Sequence, residues 1–404
     1  MIIVKRFLYV FTFRASLTAI LLCMGSCGVI SEKPKRQELE ELRSDCLAIP
    51  DAVREARRLM GRVGESLPQC KSLARDDFVA LGSALLSEEV SEKELSLEGE
   101  IFRRIGLITE IYPYAQCIHG AYTAEASAFY SPRRNTIFIP DWFEVPFPIL
   151  VHEAVHFLQR EDGDYTNDER FRGIFRDSAL ALGAMLEGEA LNVEEQYLKE
   201  HPEGSIEVEL PESGRLEMTD PTCEIPPTLK RLFYFQYDYG ALFWPRLYRI
   251  APEITRIQVF QNPPHTTREI IDPKVYVRRL RAAESEELEE VPKLEGTACE
   301  AGDKTEARSL GEYALRSLFE SVLPRNESFL AARGLMSDCL RMKGDTGEGE
   351  GLEGIQWALS FQTDADVQEA WKALERIGEK HDMRVTGGLK DREIIIRFDA
   401  PALE

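Results

Sequence analysis

The sequence has little that would bind nucleic acid or hold a metal by thiolates. Acidic residues outnumber basic residues by 70 to 49, which gives a net charge of −21. Binding the phosphate backbone requires a basic face, so we expect no nucleic-acid partner. None of the 8 cysteines forms a C-x-x-C pair, which argues against a structural thiolate zinc site and a thioredoxin-like motif. No internal repeat of fixed period is visible.

Long apolar runs are also absent after the first 26 residues, and those 26 differ from the rest of the chain. They contain three basic residues and no acid, and their second half is apolar. This layout is typical of a secretory signal. Met24-Gly-Ser-Cys27 is similar to a bacterial lipobox, so we predict a signal peptide over 1–26 and lipidation of Cys27. An ordinary signal peptide and an uncleaved anchor are the alternatives.

The charged stretch over 27–45 predicts a hydrated tether between a membrane and a folded body, and it can also begin the first exposed helix. A single acyl chain holds a protein only marginally, so the several chains of a lipoprotein are needed for stable anchoring. We therefore predict an exported, lipid-anchored protein of the bacterial cell envelope, on its periplasmic or surface side. The lipid would be its contact with the membrane.

Six cysteines remain after Cys23 and Cys27 are set aside. An even number in an exported chain permits disulfides, although their pairing cannot be read from a sequence. The first candidate pair is Cys46 with Cys70, across a predicted helical hairpin.

Hydrophobic periodicity divides the body of the chain into regions. Helices are predicted over 40–110, and two short strands around a turn over 128–139. Further helices follow at 149–159 and 177–200 and in the aromatic segment 228–250. The acidic stretch after residue 284 predicts a linker. Beyond it the pattern predicts helices near 309–321 and 366–379, and strands at 354–361, 382–386 and 392–397. The predicted parts are a helical region over 46–110, a main domain over 111–290, a linker over 291–307 and an α+β domain over 308–404.

Two of the six histidines lie in His152-Glu-Ala-Val-His156, an H-E-x-x-H pattern. Residues four apart share one face of a helix, so both imidazoles can bind one metal ion. Glu153 lies beside the open coordination position, where a carboxylate can accept a proton from metal-bound water. A chance occurrence on a core helix is the alternative, but two histidines and a glutamate are costly to bury without partners.

A catalytic zinc site needs a third protein ligand. The third histidine of metzincins is absent, because Asp162 stands at its position. Leu186-Glu187-Gly-Glu189-Ala190 follows on the next predicted helix, which is the arrangement of glutamate zincins. We predict Glu187 as the ligand and keep Glu189 as the alternative, since their side chains project about 200° apart and only one can face the metal. A solvated acidic face is the other interpretation of this segment.

Peptide hydrolysis also needs a donor for the oxyanion, and in zincins an edge strand beside the cleft pairs with the substrate. Tyr237 is the first candidate donor, followed by Tyr239 and His265, although Tyr237 also fits a core or capping role. Thr136-Ile-Phe-Ile139 is the candidate edge strand beside the cleft, and an ordinary core strand is its alternative. The other three histidines are predicted to be structural or exposed: His119, His201 and His381.

The chain resembles the bacterial and archaeal exported or lipoprotein-type H-E-x-x-H metalloprotease-like proteins that carry an E-G-x-A box. The resemblance covers roughly 100–380. Its segments are the Phe-Tyr-x-Pro turn within 120–139, Val151-His-Glu-Ala-Val-His-Phe-Leu-Gln159, Leu186-Glu-Gly-Glu-Ala190, Phe235-Gln-Tyr-Asp-Tyr-Gly-Ala-Leu-Phe243, Asn262-Pro-Pro-His-Thr-Thr-Arg-Glu-Ile-Ile-Asp-Pro-Lys-Val-Tyr276, Leu310-Gly-Glu312, Ala332-Arg-Gly-Leu-Met-Ser-Asp338 and Thr363-Asp-Ala-Asp366.

We predict an α+β fold, with a mostly helical zincin-like core, a small edge sheet and a small C-terminal α+β unit. The chain departs from the family pattern at Leu191, where many glutamate zincins have an Asp that orients a metal-bound histidine. That role would fall to Asp177, Asn192 or Glu194. A Trp and further Gly expected near Leu335 are also missing.

The sequence therefore predicts a membrane-anchored zinc metallopeptidase that acts on a peptide or protein. Zn²⁺ would be held by His152, His156 and Glu187, with Glu153 as general base. The alternative is a non-catalytic envelope lipoprotein that uses the zincin fold as a binding or scaffold module. The intact Glu153 favours the enzyme, because a degenerate site would be expected to lose its base. A non-peptide amide, such as a cell-wall cross-link, is a further possible substrate.

Overall fold

The structure is a computed structural model, and it describes residues 44–109, 111–124, 127–168, 173–202, 223–284, 308–343, 354–381 and 392–399. The predicted signal peptide, Cys27, the linker over 291–307 and the strand at 382–386 lie outside these residues. The described chain is a mixed α+β fold that is mostly helical, which confirms the predicted class. The zincin-like core and the domain boundaries stay predictions.

The N-terminal part contains four helices and one strand. They are α1 (Ser44–Leu59), β1 (Gln69–Leu73), α2 (Arg75–Glu89), α3 (Glu92–Arg104) and α4 (Tyr114–Ala124). A capping box begins α3, because Ser91 accepts a hydrogen bond from the backbone of Glu94 and the Glu94 side chain bonds back. Helices were predicted here, but β1 was not.

A small sheet forms where β1 meets the predicted pair of strands, β2 (Phe129–Ser131) and β3 (Thr136–Pro140). The strand order is β1-β3-β2, with β1 parallel and β2 antiparallel to β3. Every residue of β3 is buried. The prediction that Thr136–Ile139 is an edge strand is therefore wrong, because β1 occupies its second side. The edge strand that contacts the helix at Phe147–Arg160 is β2.

Two long helices pack beside this sheet. Helix α5 (Phe147–Arg160) begins after Pro146 and has Pro148 in its first turn, where a missing N–H costs nothing. Helix α6 (Asp177–Glu200) packs against α5 and has the bounds that its hydrophobic pattern predicts. The first helix, α1, covers another side of α5, with Ile49, Val53 and Ala56 in the shared core.

Five helices complete the main body. They are α7 (Pro227–Asp238), α8 (Gly240–Ile250), α9 (Arg256–Gln261), α10 (Thr267–Ile271) and α11 (Pro273–Glu284). Helices α7, α8 and α10 pack on α6, which thus lies at the centre of the fold.

The C-terminal part has helices α12 (Gly311–Phe319), α13 (Arg325–Ala332) and α14 (Asp364–His381), and strands β4 (Leu335–Lys343), β5 (Gly354–Phe361) and β6 (Glu393–Asp399). The antiparallel order β4-β5-β6 places the predicted strand β5 in the middle. Alternate residues of β5, among them Trp357 and Leu359, are buried. The sequence did not predict α13 or β4.

Disulfides join segments that are distant along the chain. Cys46 pairs with Cys70, as predicted, although the bond links α1 to β1 rather than to a second helix. Cys117 of α4 pairs with Cys223, and Cys339 is also disulfide-bonded. Among the described helices, none is both long and apolar enough to cross a membrane.

Candidate metal centre

Helix α5 presents two histidines on one face. His152 and His156 are separated by one helical turn, and their ring centroids lie 4.8 Å apart. The opposite face of the helix is fully buried through Val151, Ala154 and Val155. The core thereby fixes the rotation of α5, and with it the direction of both imidazoles.

Helix α6 adds a carboxylate to the two histidines. Glu187 Oε2 lies 3.2 Å from His152 Nε2, and Glu187 Oε1 lies 3.6 Å from His156 Nε2. One ligand atom from each of these three side chains lies within 4.8 Å of the others, and the group can hold a metal ion. The structure therefore brings together the three residues that were predicted as ligands.

The two imidazoles are turned so that the same nitrogen of each faces the centre of the group. His152 Nε2 and His156 Nε2 are 3.1 Å apart. Both Nδ1 atoms have other partners, Glu194 Oε2 at 3.3 Å and Gln159 Oε1 at 2.8 Å. Carboxylate and amide oxygens accept hydrogen bonds, so each Nδ1 carries a proton, and each Nε2 presents a lone pair once it has lost its own proton. Two lone pairs and a carboxylate that converge on one point form a cation site.

Glu187 and the two histidines shift one another's pKa values. Burial lowers the pKa of His152, but its contacts with Glu187 and Glu194 outweigh this effect and raise it well above its usual value. The pKa of His156 is raised by Glu187 in the same way, against the effect of burial. Although burial acts to raise the pKa of Glu187, the two histidines lower it overall, so this carboxylate stays ionised. An ionised carboxylate is the form that binds a metal.

Glu153 is placed between α5 and the edge strand β2. Its side chain is buried, and its Oε2 accepts a hydrogen bond of 2.8 Å from the backbone N–H of Tyr130. Burial raises the pKa of Glu153 above its usual value. A carboxylate with a raised pKa is better suited to accept and return a proton near neutral pH.

Close contact between α6 and α8 sets the position of Glu187. A Cβ on Gly188 would lie 2.1 Å from the carbonyl oxygen of Gly240, and a Cβ on Gly240 would lie 2.4 Å from that of Ala184. Only glycine allows this approach. The Gly of the Glu-Gly-Glu segment thus has a packing role, next to the residue that faces the histidines.

Glu189 and Asn192 on α6 have partners outside the group of three ligands. Glu189 was the alternative ligand, but it bonds to Gln159 and Arg256 on a different side of α6. Asn192 Nδ2 donates to the carbonyl oxygens of Gly188 and Ala241. Of the three candidates for orienting a histidine, Glu194 is the one that contacts His152.

Asp177, the remaining candidate for that orienting role, accepts hydrogen bonds from the backbone and hydroxyl of Thr267. It therefore lies in a different network of the fold.

The predicted oxyanion donors lie on α7 and near α10. Tyr237 is half-buried near the end of α7, which packs on α6. The Tyr239 hydroxyl accepts a 2.5 Å hydrogen bond from Arg316, and its ring stacks on Phe235, which indicates a structural role. The backbone N–H of His265 donates to Glu269. The catalytic roles of Tyr237 and His265 stay predictions.

The other histidines were predicted to be structural or exposed. His119 is half-buried on α4 beside the Cys117 disulfide. His201 stacks on Tyr197, with ring centroids 4.4 Å apart, and is half-buried rather than on the surface.

Several residues of the site were missed in the sequence. Gln159 lies one turn after His156, so helical spacing alone would have placed it on the same face. Glu194 was not missed, since it was one of the three candidates for orienting a histidine. Tyr130 and Arg256 carry no such signal, because their contacts depend on how distant elements pack.

Comparisons of the chain with protein-family models, with curated proteins and with solved structures found no match.

Proposed function

We propose that the protein is a zinc-dependent metallopeptidase that is anchored to the cell envelope by a lipid at Cys27. The observation that carries the proposal is the convergence of His152 Nε2, His156 Nε2 and a Glu187 carboxylate oxygen within 4.8 Å, with Glu153 next to His152 on the same helix. Two nitrogens and one carboxylate oxygen suit zinc and leave a position for water. The resemblance to exported H-E-x-x-H proteins supports the same reaction class.

Contacts outside the metal group orient the three ligands. Glu194 and Gln159 hold the Nδ1 protons of the histidines, and the contact of Gly188 with Gly240 fixes the helix that carries Glu187. Bound zinc supplies Lewis acidity and lowers the pKa of its water to about 7.

Glu153 is the general base of the proposed reaction. The Tyr130 N–H holds Glu153 Oε2, and the proton from the attacking water goes to its carboxylate and then to the leaving amine. The donor for the oxyanion would be Tyr237 or His265.

The edge strand β2 is the proposed docking strand for the substrate. The N–H of Tyr130 points away from β3 towards Glu153, and the carbonyl of a strand residue points to the same side as its N–H. Because Glu153 holds this N–H, an extended peptide would pair with the Tyr130 carbonyl and would lie next to Glu153.

The test compares cleavage of a broad peptide library by the zinc-loaded wild-type chain and by the Glu153→Gln variant. The variant keeps the three ligands, so we expect it to bind zinc like the wild type and to lose about 10²- to 10⁴-fold in rate. Glu195→Gln, on the exposed side of α6 next to Lys199, is the control and should cleave normally. A wild-type chain that binds zinc but shows no cleavage dependent on Glu153 would contradict the proposal and would favour a binding or scaffold role.

A further inference from the structure

Gln159 is a buried residue whose amide group lies next to the metal centre. It is 3% exposed, and its amide group has three partners. Its Nε2 lies 2.8 Å from the carbonyl oxygen of Leu186 and 3.1 Å from Glu189 Oε2, and its Oε1 lies 2.8 Å from His156 Nδ1.

These partners leave the amide only one orientation. A backbone carbonyl can only accept a hydrogen bond, and so can an ionised carboxylate. The NH₂ group of Gln159 must therefore face Leu186 and Glu189, and its oxygen must face His156. This oxygen requires a proton on His156 Nδ1, which leaves the lone pair on Nε2, the atom that faces Glu187.

The far end of this chain of contacts is an ion-pair cluster. Arg256, at the start of α9, forms ion pairs with both Glu189 and Asp162. Arg62 also bonds to Asp162, at 2.5 Å. The Arg256 guanidinium lies 4.2 Å from the centre of the Phe260 ring, which limits its freedom further. The side chains of Arg256, Glu189 and Asp162 are each less than a fifth exposed, so solvent screens these pairs only weakly.

We propose that Arg256, Glu189 and Gln159 form a positioning relay that fixes His156 as an Nε2 ligand. Arg256 holds Glu189, Glu189 and the Leu186 carbonyl hold the Gln159 amide, and the amide sets the tautomer and the ring orientation of His156. The inference rests on the metal site of the proposed function. It also gives Glu189 a role, since the second Glu of the Glu-Gly-Glu segment acts on the metal through Gln159 rather than as a ligand.

The relay predicts different effects for two replacements of Gln159. Gln159→Met keeps the length of the side chain and removes all three hydrogen bonds. Gln159→Glu keeps the shape but brings a second acceptor against the Leu186 carbonyl and Glu189, so these contacts become repulsive. We expect either change to weaken zinc binding by about 10- to 100-fold, the range typical for residues that orient a metal ligand.

Arg256→Gln is the second variant, because it lies on α9 and touches none of the three ligands in the described contacts. It leaves Glu189 without its cation, so we expect a smaller loss of zinc affinity than for Gln159→Met. The control is Gln196→Met on α6, where the wild-type glutamine has one long hydrogen bond of 3.4 Å to Glu200. This control should bind zinc like the wild type.

The measurements are zinc affinity by competition with a chromophoric chelator and the visible spectrum of the cobalt(II)-loaded full chain. The melting temperature of each metal-free variant shows whether it folds. The relay predicts weaker zinc binding and an altered cobalt spectrum in folded Gln159→Met and Arg256→Gln chains. Variants that lose only melting temperature, with zinc affinity within about twofold of wild type and an unchanged spectrum, would overturn it. A wild-type chain that binds no metal overturns the proposed function as well, whereas intact binding in the variants overturns the relay alone.

Discussion

Buried carboxylates are the residues whose surroundings most change their chemistry in this protein. Asp177, at the start of α6, is 4% exposed and accepts bonds from the backbone and hydroxyl of Thr267. Burial and the nearby carboxylate of Asp338 raise the pKa of Asp177 to about 8. The folded state thus holds a proton that the unfolded chain releases near pH 4.

This proton makes stability depend on pH with a known sign. Between pH 5 and pH 8 the native chain binds more protons at Asp177 than the unfolded chain, so the free energy of unfolding falls as the pH rises. The amide of Asp177→Asn can still accept both bonds from Thr267 and has no such proton. Between these pH values the wild type should lose on the order of 3 kcal/mol relative to the variant.

Urea unfolding of both metal-free chains at pH 5 and pH 8 measures this difference. Parallel pH dependence in the two chains would show that Asp177 is ionised in the folded protein.

Single residues of the metal site differ in how well the sequence predicts them. His152, Glu153 and His156 form a local pattern on one helix, so their geometry follows from helical spacing. Glu187 required knowledge that α6 packs on α5, which the family resemblance supplied. The relay through Gln159 to Arg256 was beyond prediction, because it depends on where α9 meets the end of α5.

At the scale of elements, the α6–α8 contact fixes the site. The two helices approach closely at Gly188 and Gly240, and Trp244 Nε1 of α8 donates to the Met185 carbonyl of α6. Helices that pack this closely have no room for a methyl group at the crossing.

Gly188→Ala is therefore expected to destabilise the protein, although alanine is the better helix former by about 0.5–1 kcal/mol. The methyl group would lie 2.1 Å from the Gly240 carbonyl oxygen, which is backbone and cannot rotate away. We expect a net loss of about 1–3 kcal/mol in the free energy of unfolding.

Gly183→Ala is the matched control on the same helix. Its new methyl group would meet only the end of the Gln236 side chain, which can move, so the change should stay within about 1 kcal/mol. If urea unfolding gave the same loss of stability for both variants, the close contact at Gly188 would not be its cause.

The elements that the sequence predicted are those with a clear local signal. Helix α5 has a strong apolar stripe, α6 has apolar residues at helical spacing, and β5 alternates buried and half-buried residues. The strands β1 and β4 were missed because pairing with β3 and β5, rather than local pattern, stabilises them. For the same reason Thr136–Ile139 was assigned to an edge although β1 covers it.

At the scale of the whole molecule, disulfides connect parts that the chain order separates. Cys46–Cys70 closes a separation of 24 residues, and Cys117–Cys223 closes one of 106. A cross-link stabilises mainly by restricting the unfolded chain, and longer loops gain more. Only the shorter pair was predictable, because the longer one depends on the packing of α4 near the start of α7.

Removal of each disulfide should follow this order. The Cys46→Ala/Cys70→Ala chain should lose about 3.5 kcal/mol and the Cys117→Ala/Cys223→Ala chain about 4.7 kcal/mol in the free energy of unfolding. Urea unfolding of the oxidised wild type and both double variants gives these values. A larger loss for the shorter loop would mean that native contacts at Cys46 and Cys70, rather than chain entropy, dominate.

We propose that His152, His156 and Glu187 hold one zinc ion. The most direct test is the zinc content of the purified full chain after dialysis, for the wild type and for Glu187→Gln, with Glu195→Gln as the control on the same helix. We expect one zinc ion per chain in the wild type and in the control, and a large loss of bound zinc in Glu187→Gln. A wild-type chain without zinc would contradict the proposed metal site. A Glu187→Gln chain that retains zinc fully would contradict Glu187 as a ligand.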